Sequence, residues 1–181
     1  GRVIMRRSLF VFILGFLVCC CTLVNADTIN LDGNNTGRAF EGIGAVSAGG
    51  NSRLLIDYPE PYRSDVLDFL FKPKFGAGFQ HLKVEMGGGT NSTSGSVPSH
   101  AITPDEVDDP VSRGYQLWLM REAKNRNPDL ILDCLAWAFP YWFAGEFSQD
   151  TADYMTAFVD LAYTQWGLRL DYVGGTRNEG S

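Results

Sequence analysis

The sequence predicts an α/β chain with parallel strands, namely the first half of a (β/α)8 barrel, and three observations lead there. Stretches of alternating apolar residues are interleaved with stretches whose apolar residues recur every three or four positions, in the order strand, helix, strand, helix, strand, helix, strand. Strands separated by helices have to run parallel, because each helix carries the chain back to the starting edge. Glycines, polar clusters and aromatics follow all four strands alike. A doubly wound sheet concentrates such residues after its first strand, whereas a barrel spreads them over every βα loop. Residues 27–181 are too few for the ~250 of a whole barrel, so strands one to four are expected and no more.

The N-terminus is set apart by its composition. Met5-Arg6-Arg7 is a basic start, Leu9 to Val18 is an apolar run, and Val24-Asn25-Ala26 offers the small residues that a signal peptidase accepts. This pattern predicts a signal peptide over residues 1–26, with Gly1 to Ile4 upstream of the initiator methionine. The apolar segment from Leu9 to Val24 falls short of the ~20 residues that span a bilayer, and no later stretch comes near. The remainder, 45% hydrophobic and 13% aromatic over the full sequence, has ample material for a core. Setting aside Arg2, Arg6 and Arg7 leaves 12 basic against 21 acidic residues, a charge of −9 that offers no footprint for nucleic acid. One cysteine remains, Cys134, which can form no internal disulfide and reads as a small buried hydrophobe. Asn34-Asn35-Thr36 and Asn91-Ser92-Thr93 are glycosylation sequons, consistent with the secretory pathway, and the acidic balance fits an acidic compartment such as the lysosome.

Taken in order, Thr28 to Asn35 predicts a short strand and a Gly/Asn turn, and FEGIGAVSAGG a strand that runs into a glycine-rich loop. The spacing of Gly42, Gly44, Gly49 and Gly50 does not match GxGxxG, so no dinucleotide cofactor is expected. The first helix begins near Pro61, with Val66, Leu67, Leu70 and Phe71 on one face, and Pro73 closes it. HLKVEM is the second strand, and the long polar segment GGGTNSTSGSVPSH after it is read as a functional or mobile loop. Asp109-Pro110 predicts the start of a second helix that carries Tyr115, Trp118, Leu119 and Ala123 to Asn127-Pro128. LILDCLA is the third strand and empties into the aromatic loop WAFPYWF. The third helix is capped by Asp150, bears Met155, Phe158, Val159, Ala162, Tyr163 and Trp166 as its stripe, and ends at Gly167. Leu168, Leu170 and Tyr172 predict a short buried fourth strand that delivers Asn178 and Glu179 to the sheet's C-terminal edge, where such folds carry their chemistry.

The segments FEGIGAVSAGG, SRLLIDYPEPYRSDVLDFLFKPKFGA, LKVEMGGG, PSH, RGYQLWLMREAKNRNP, AWAFPYW and the closing LDYV…NE together resemble the N-terminal catalytic region of the galactocerebrosidase (galactosylceramidase) family. The resemblance covers nearly all of residues 27–181 in order, and YPEPYRS with LFKPKFGA is specific to the family. It implies part of a glycoside hydrolase TIM-barrel domain that stops after strand four, and a retaining β-galactosidase acting on galactosylceramide in the lysosome. It further implies that Glu179 is the proton donor of an acid/base pair of roles, that Asn178 bonds the sugar 2-hydroxyl, and that Thr93 and Trp137 line the galactose site. A galactosylated sphingolipid is then the substrate, a saposin-like lipid carrier a partner, and neither cofactor nor metal is needed. The chain departs from the family in placing Arg177 where tryptophan is usual before Asn178, with one extra residue in the Gly174–Arg177 stretch, and Ala136 where proline usually precedes Trp137.

Those residue types suit the chemistry independently of the family. A retaining glycosidase needs two carboxyls ~5 to 5.5 Å apart, one to protonate the leaving oxygen and one to attack the anomeric carbon. Glu179 supplies one; the nucleophile, expected after strand seven, lies outside this chain, and residues 27–181 alone are expected to be inactive. Trp137 presents either a flat face for a pyranose or a packing plug. Thr93 is part of a sequon as well as a candidate sugar contact, and a glycan on Asn91 would crowd it. Glu85, at the end of the second strand, faces the same rim as a supporting group or a structural ion-pair member. A non-catalytic galactoside-binding or regulatory protein on the same scaffold would keep Thr93, Trp137 and Asn178 and need no nucleophile.

Overall fold

The computed structural model describes residues 28–92 and 95–175, which fall into two units, residues 28–39 and residues from Phe40 onward. The expected signal peptide, Thr93, Asn178 and Glu179 lie outside the described residues. In the first unit the predicted turn is present and the predicted strand is not. The Asp32 side chain accepts the Asn34 N–H at 2.9 Å and its carbonyl accepts that of Asn35 at 3.1 Å, a local bonding scheme that bends the backbone away from an extended ladder.

In the second unit the elements are β1 (Gly44–Ser47), a 3-10 turn (Gly50–Arg53) leading into α1 (Leu54–Asp57), α2 (Tyr62–Phe71), β2 (His81–Glu85), β3 (Asn91–Ser92), β4 (Gly95–Ser96), α3 (Gln116–Arg126), β5 (Ile131–Leu135), α4 (Gln149–Trp166) and β6 (Tyr172–Val173). Four strands form one sheet in the order β1-β2-β5-β6, and every pairing in it is parallel. This is the arrangement expected of the first half of a (β/α)8 barrel. Its register sets Leu82 beside Leu132 and Val84 beside Cys134, so one face of the two central strands is continuously apolar. Against that face pack Leu67 and Phe71 of α2, Leu119, Met120 and Ala123 of α3, and Phe158, Leu161 and Ala162 of α4. Cys134 is shut inside this core, and burial pushes its thiol up to about 12, the behaviour of the inert hydrophobe expected from sequence.

Several boundaries differ from expectation. α3 does not begin at Asp109-Pro110: Val111 N–H bonds the His100 carbonyl at 2.9 Å, and Gly114 with φ 83 turns the chain before the helix starts behind Tyr115. Tertiary hydrogen bonds there outweigh a favourable local cap. The cap of α4 is Ser148, one turn residue is Asp150, and the buried stripe is rotated to Thr151, Tyr154, Ala157, Phe158, Leu161 and Ala162, leaving Tyr163 exposed. Gly167, at φ 62, ends the helix as predicted. The long polar loop contains the antiparallel pair β3–β4, too short to leave a period in the sequence. The fourth strand is shorter and more open than expected. Leu168 and Leu170 pack on the core, and only Tyr172 and Val173 join the ladder, as exposed residues of an edge strand.

Candidate functional site at the C-terminal edge of the sheet

Because the strands are parallel, the loops after β1, β2, β5 and β6 leave from one edge. The loop after β1 is held there by its backbone. Gly49, in the left-handed region at φ 71, donates its N–H to Glu85 Oε2 at 2.7 Å, and its carbonyl accepts the Tyr115 hydroxyl at 3.0 Å. Glu85 is fully buried, so the last residue of β2 acts as a fixed carboxylate under the first loop. Burial, with the nearby Glu85 charge, raises the Tyr115 hydroxyl above its ordinary value and keeps it a donor. Ser47 donates to Gln116 Oε1 at 3.2 Å, a second tie between the end of β1 and the start of α3.

The loops after β2 and β5 touch. A side chain at Gly88 would run into the backbone of Ala138 and Phe139, so only glycine permits the approach, and Thr90 Oγ1 donates to the Phe139 carbonyl at 2.9 Å. From beneath, the Tyr154 hydroxyl of α4 donates to the Gly87 carbonyl, and Ser99 Oγ lies 2.6 Å from the same hydroxyl. His100 Nε2 donates to the Tyr154 carbonyl at 2.9 Å, which places the ring proton on that nitrogen. Burial pushes the His100 imidazole down to about 4, so it is neutral near pH 7, and burial likewise raises Tyr154 far above an ordinary phenol. Phe143 and Trp142 pack edge-on against Tyr154 with ring centroids 5.2 and 6.3 Å away, completing an aromatic plug below the rim.

Of the residues predicted from sequence, Trp137 sits half-buried on the loop directly after β5, at the rim, and Glu85 is at the rim as well. Asn91 lies in β3, with its backbone opposite Ser96, and Asn34 lies exposed in the first unit. The sequence places Tyr115 on a helix and Ser99 and His100 in a polar loop, but it does not show that these residues and Tyr154 support the rim. The spacing of Tyr154 with Phe158, Leu161 and Ala162 is itself a helical stripe, and it is the signal in the sequence that points to Tyr154. Between the two touching loops lies a cavity of about 280 Å3, walled by Gly88, Gly89 and Thr90 on one side and by Pro140 and Tyr141 on the other. Among the described residues no group of three His, Cys, Asp or Glu side chains could hold a metal ion. Nor, among them, is any helix long and apolar enough to cross a membrane.

The profile of glycosyl hydrolase family 59 matches residues 40–181. The chain belongs to glycosyl hydrolase family 59. Within it, this chain is 49% identical to galactocerebrosidase from Mus musculus and 46% identical to that from Homo sapiens, each over 166 residues. Those alignments cover 87% of this chain and 24% of either relative, so the chain spans about a quarter of the length of the curated relatives it matches. A putative galactocerebrosidase from Caenorhabditis elegans is 32% identical over 173 residues, covering 92% of this chain and 26% of its own. Among solved structures, an endo-β1,6-glucanase superposes with a TM-score of 0.62 at 19% identity, over 81% of the family 59 chain and 38% of the glucanase. The catalytic domain of xylanase C from Talaromyces cellulolyticus does so with a TM-score of 0.54 at 19% identity, over 77% and 37%. At those identities the likeness speaks for the fold alone, and it agrees with a half-barrel of parallel strands.

Proposed function

We propose that this chain is the N-terminal catalytic part of a retaining galactosylceramidase, which removes β-galactose from galactosylceramide and related galactolipids. The observation that carries the reading is the 46–49% identity to galactocerebrosidases, which extends over nearly nine-tenths of the chain, and the family match over residues 40–181 includes all four strands whose loops build the rim. In this reading Glu179 follows the fourth strand and is the acid/base. It protonates the glycosidic oxygen as the bond breaks and then deprotonates the water that releases the galactosyl-enzyme. Asn178 bonds the 2-hydroxyl, a contact that strengthens in the transition state, and Thr93 and Trp137 bound the sugar. The carboxylate that attacks the anomeric carbon comes from a part of the polypeptide that this chain does not include.

The leader-like composition of residues 1–26 and the sequons at Asn34 and Asn91 support passage through the secretory pathway to the lysosome or outside the cell. A substrate with two lipid tails leaves its bilayer at high cost, which supports a saposin-like carrier as partner. The full-length protein is expected to release β-galactose as the first product from a β-galactoside, read by proton NMR before mutarotation. Initial release of α-galactose, or no turnover of any β-galactoside, would overturn the assignment.

A further inference from the structure

We propose that the cavity between the loops after β2 and β5 is the subsite for the apolar chain of the aglycone. The inference rests on the galactosylceramidase reading, and it adds where the lipid lies. The cavity lies between the loops after β2 and β5, and the second of these begins with Trp137, a residue assigned to the sugar. At about 280 Å3 it is the size of a small ligand pocket, and it is walled on opposite sides by Pro98, Pro140, Ile102 and Tyr141. Tyr141 is 80% exposed and Ile102 49%, so apolar surface stands uncovered at its mouth.

Several of its polar groups are already engaged with the protein. Thr90 Oγ1 is spent on the Phe139 carbonyl, and Ser99 Oγ on the Tyr154 hydroxyl and the Ala101 carbonyl. Arg113, the one charged residue lining the cavity, forms two bonds of 2.9 and 2.6 Å to Glu106, whose carboxyl it holds down at about 2. A further sugar ring would find few free partners, and an anionic group would have to compete with Glu106. A neutral hydrocarbon chain needs neither. The walls are also preformed, since Gly88 and Thr90 lock the two loops together, so little ordering is required on binding.

The test compares binding of octyl and methyl β-thiogalactoside, which resist hydrolysis, to the full-length protein by calorimetry below the micellar concentration. The methyl compound reports the sugar reading alone, and the gain from methyl to octyl reports the cleft alone. An octyl gain of about 10-fold is expected from burial of part of the chain. Tyr141→Ala should cut that gain to about threefold or less, with Ile102→Ser acting in the same direction and methyl binding kept within about twofold. Both residues are exposed, so both variants should fold. An octyl gain that survives both substitutions, or no gain in the wild type, overturns the subsite. Loss of methyl binding with the octyl gain retained would instead leave the subsite standing and overturn the sugar reading.

Discussion

On the helix side of the sheet Leu82, Val84, Leu132 and Cys134 are shut off from solvent, whereas on the opposite side their neighbours in sequence, His81, Lys83 and Asp133, stay partly exposed and pair with one another. Lys83 Nζ lies 3.3 Å and His81 Nε2 3.6 Å from the same Asp133 oxygen, and the His81 ring stacks on Tyr172 at 6.0 Å. Two neighbours in one strand, Leu132 and Asp133, therefore belong to different environments. The first face is held by area removed from water and by close packing, and it fixes the register of the strands. The second carries polar side chains up to Glu85 and the rim, where stability is spent on holding groups in place. The lesson is that the apolar face supports the fold while the polar face and its edge are free to carry function.

The comparison breaks if the two faces respond alike to truncation. Leu132→Ala should cost about 2–5 kcal/mol in denaturant unfolding of the full-length protein, since it opens a cavity among α2, α3 and α4. The next effect concerns acid. His100 is neutral in the fold, with its pKa pushed by burial from 6.5 to about 4, beside Arg113 and the Tyr154 carbonyl. A histidine with a depressed folded value binds its proton more readily when unfolded, so stability is whole above about 6.5, falls as pH drops toward 4, and levels off below. The full loss is on the order of 3 kcal/mol, and His100→Gln should flatten the stability profile over that interval.

Tyr154→Phe sharpens the picture at the junction of plug and rim. It leaves the Gly87 carbonyl and Ser99 without their hydroxyl partner, at a cost of about 1–3 kcal/mol, and should raise KM for a small galactoside as the Gly87–Gly89 loop loosens. The smallest effect is expected on the polar face. Asp133→Asn should cost no more than about 1 kcal/mol, because the pairs it breaks are only partly buried. A loss at Asp133 equal to that at Leu132 would mean that both faces are packed for stability.

The sequence revealed what rests on periodicity. Leu82 and Val84, and Leu132 and Cys134, alternate cleanly, and β2 and β5 appear where that alternation places them. Gly167 ends α4 because a left-handed residue is cheap there only for glycine. What escaped rests on contacts distant in sequence. The Asp109-Pro110 pair looks like a helix start, but the His100 carbonyl claims Val111, and no local rule shows that. The strands β3 and β4 have two residues each and cannot display a period. Glu85 could be set at the rim because it ends a strand and Trp137 because it follows one, but the link from Glu85 through Gly49 to Tyr115 joins β1, β2 and the start of α3. The Ser99–His100–Tyr154 network likewise spans more than fifty residues.

The role assigned to Glu179 is tested most directly by Glu179→Gln in the full-length protein, assayed on two substrates. Turnover of galactosylceramide, whose leaving group needs a proton, should fall by roughly 10²- to 10⁴-fold. An activated aryl β-galactoside should lose far less in the glycosylation step, and azide should speed release of its galactosyl-enzyme by replacing water without need of a base. Equal losses on both substrates with no azide rescue would contradict the account and move the acid/base role to another carboxylate.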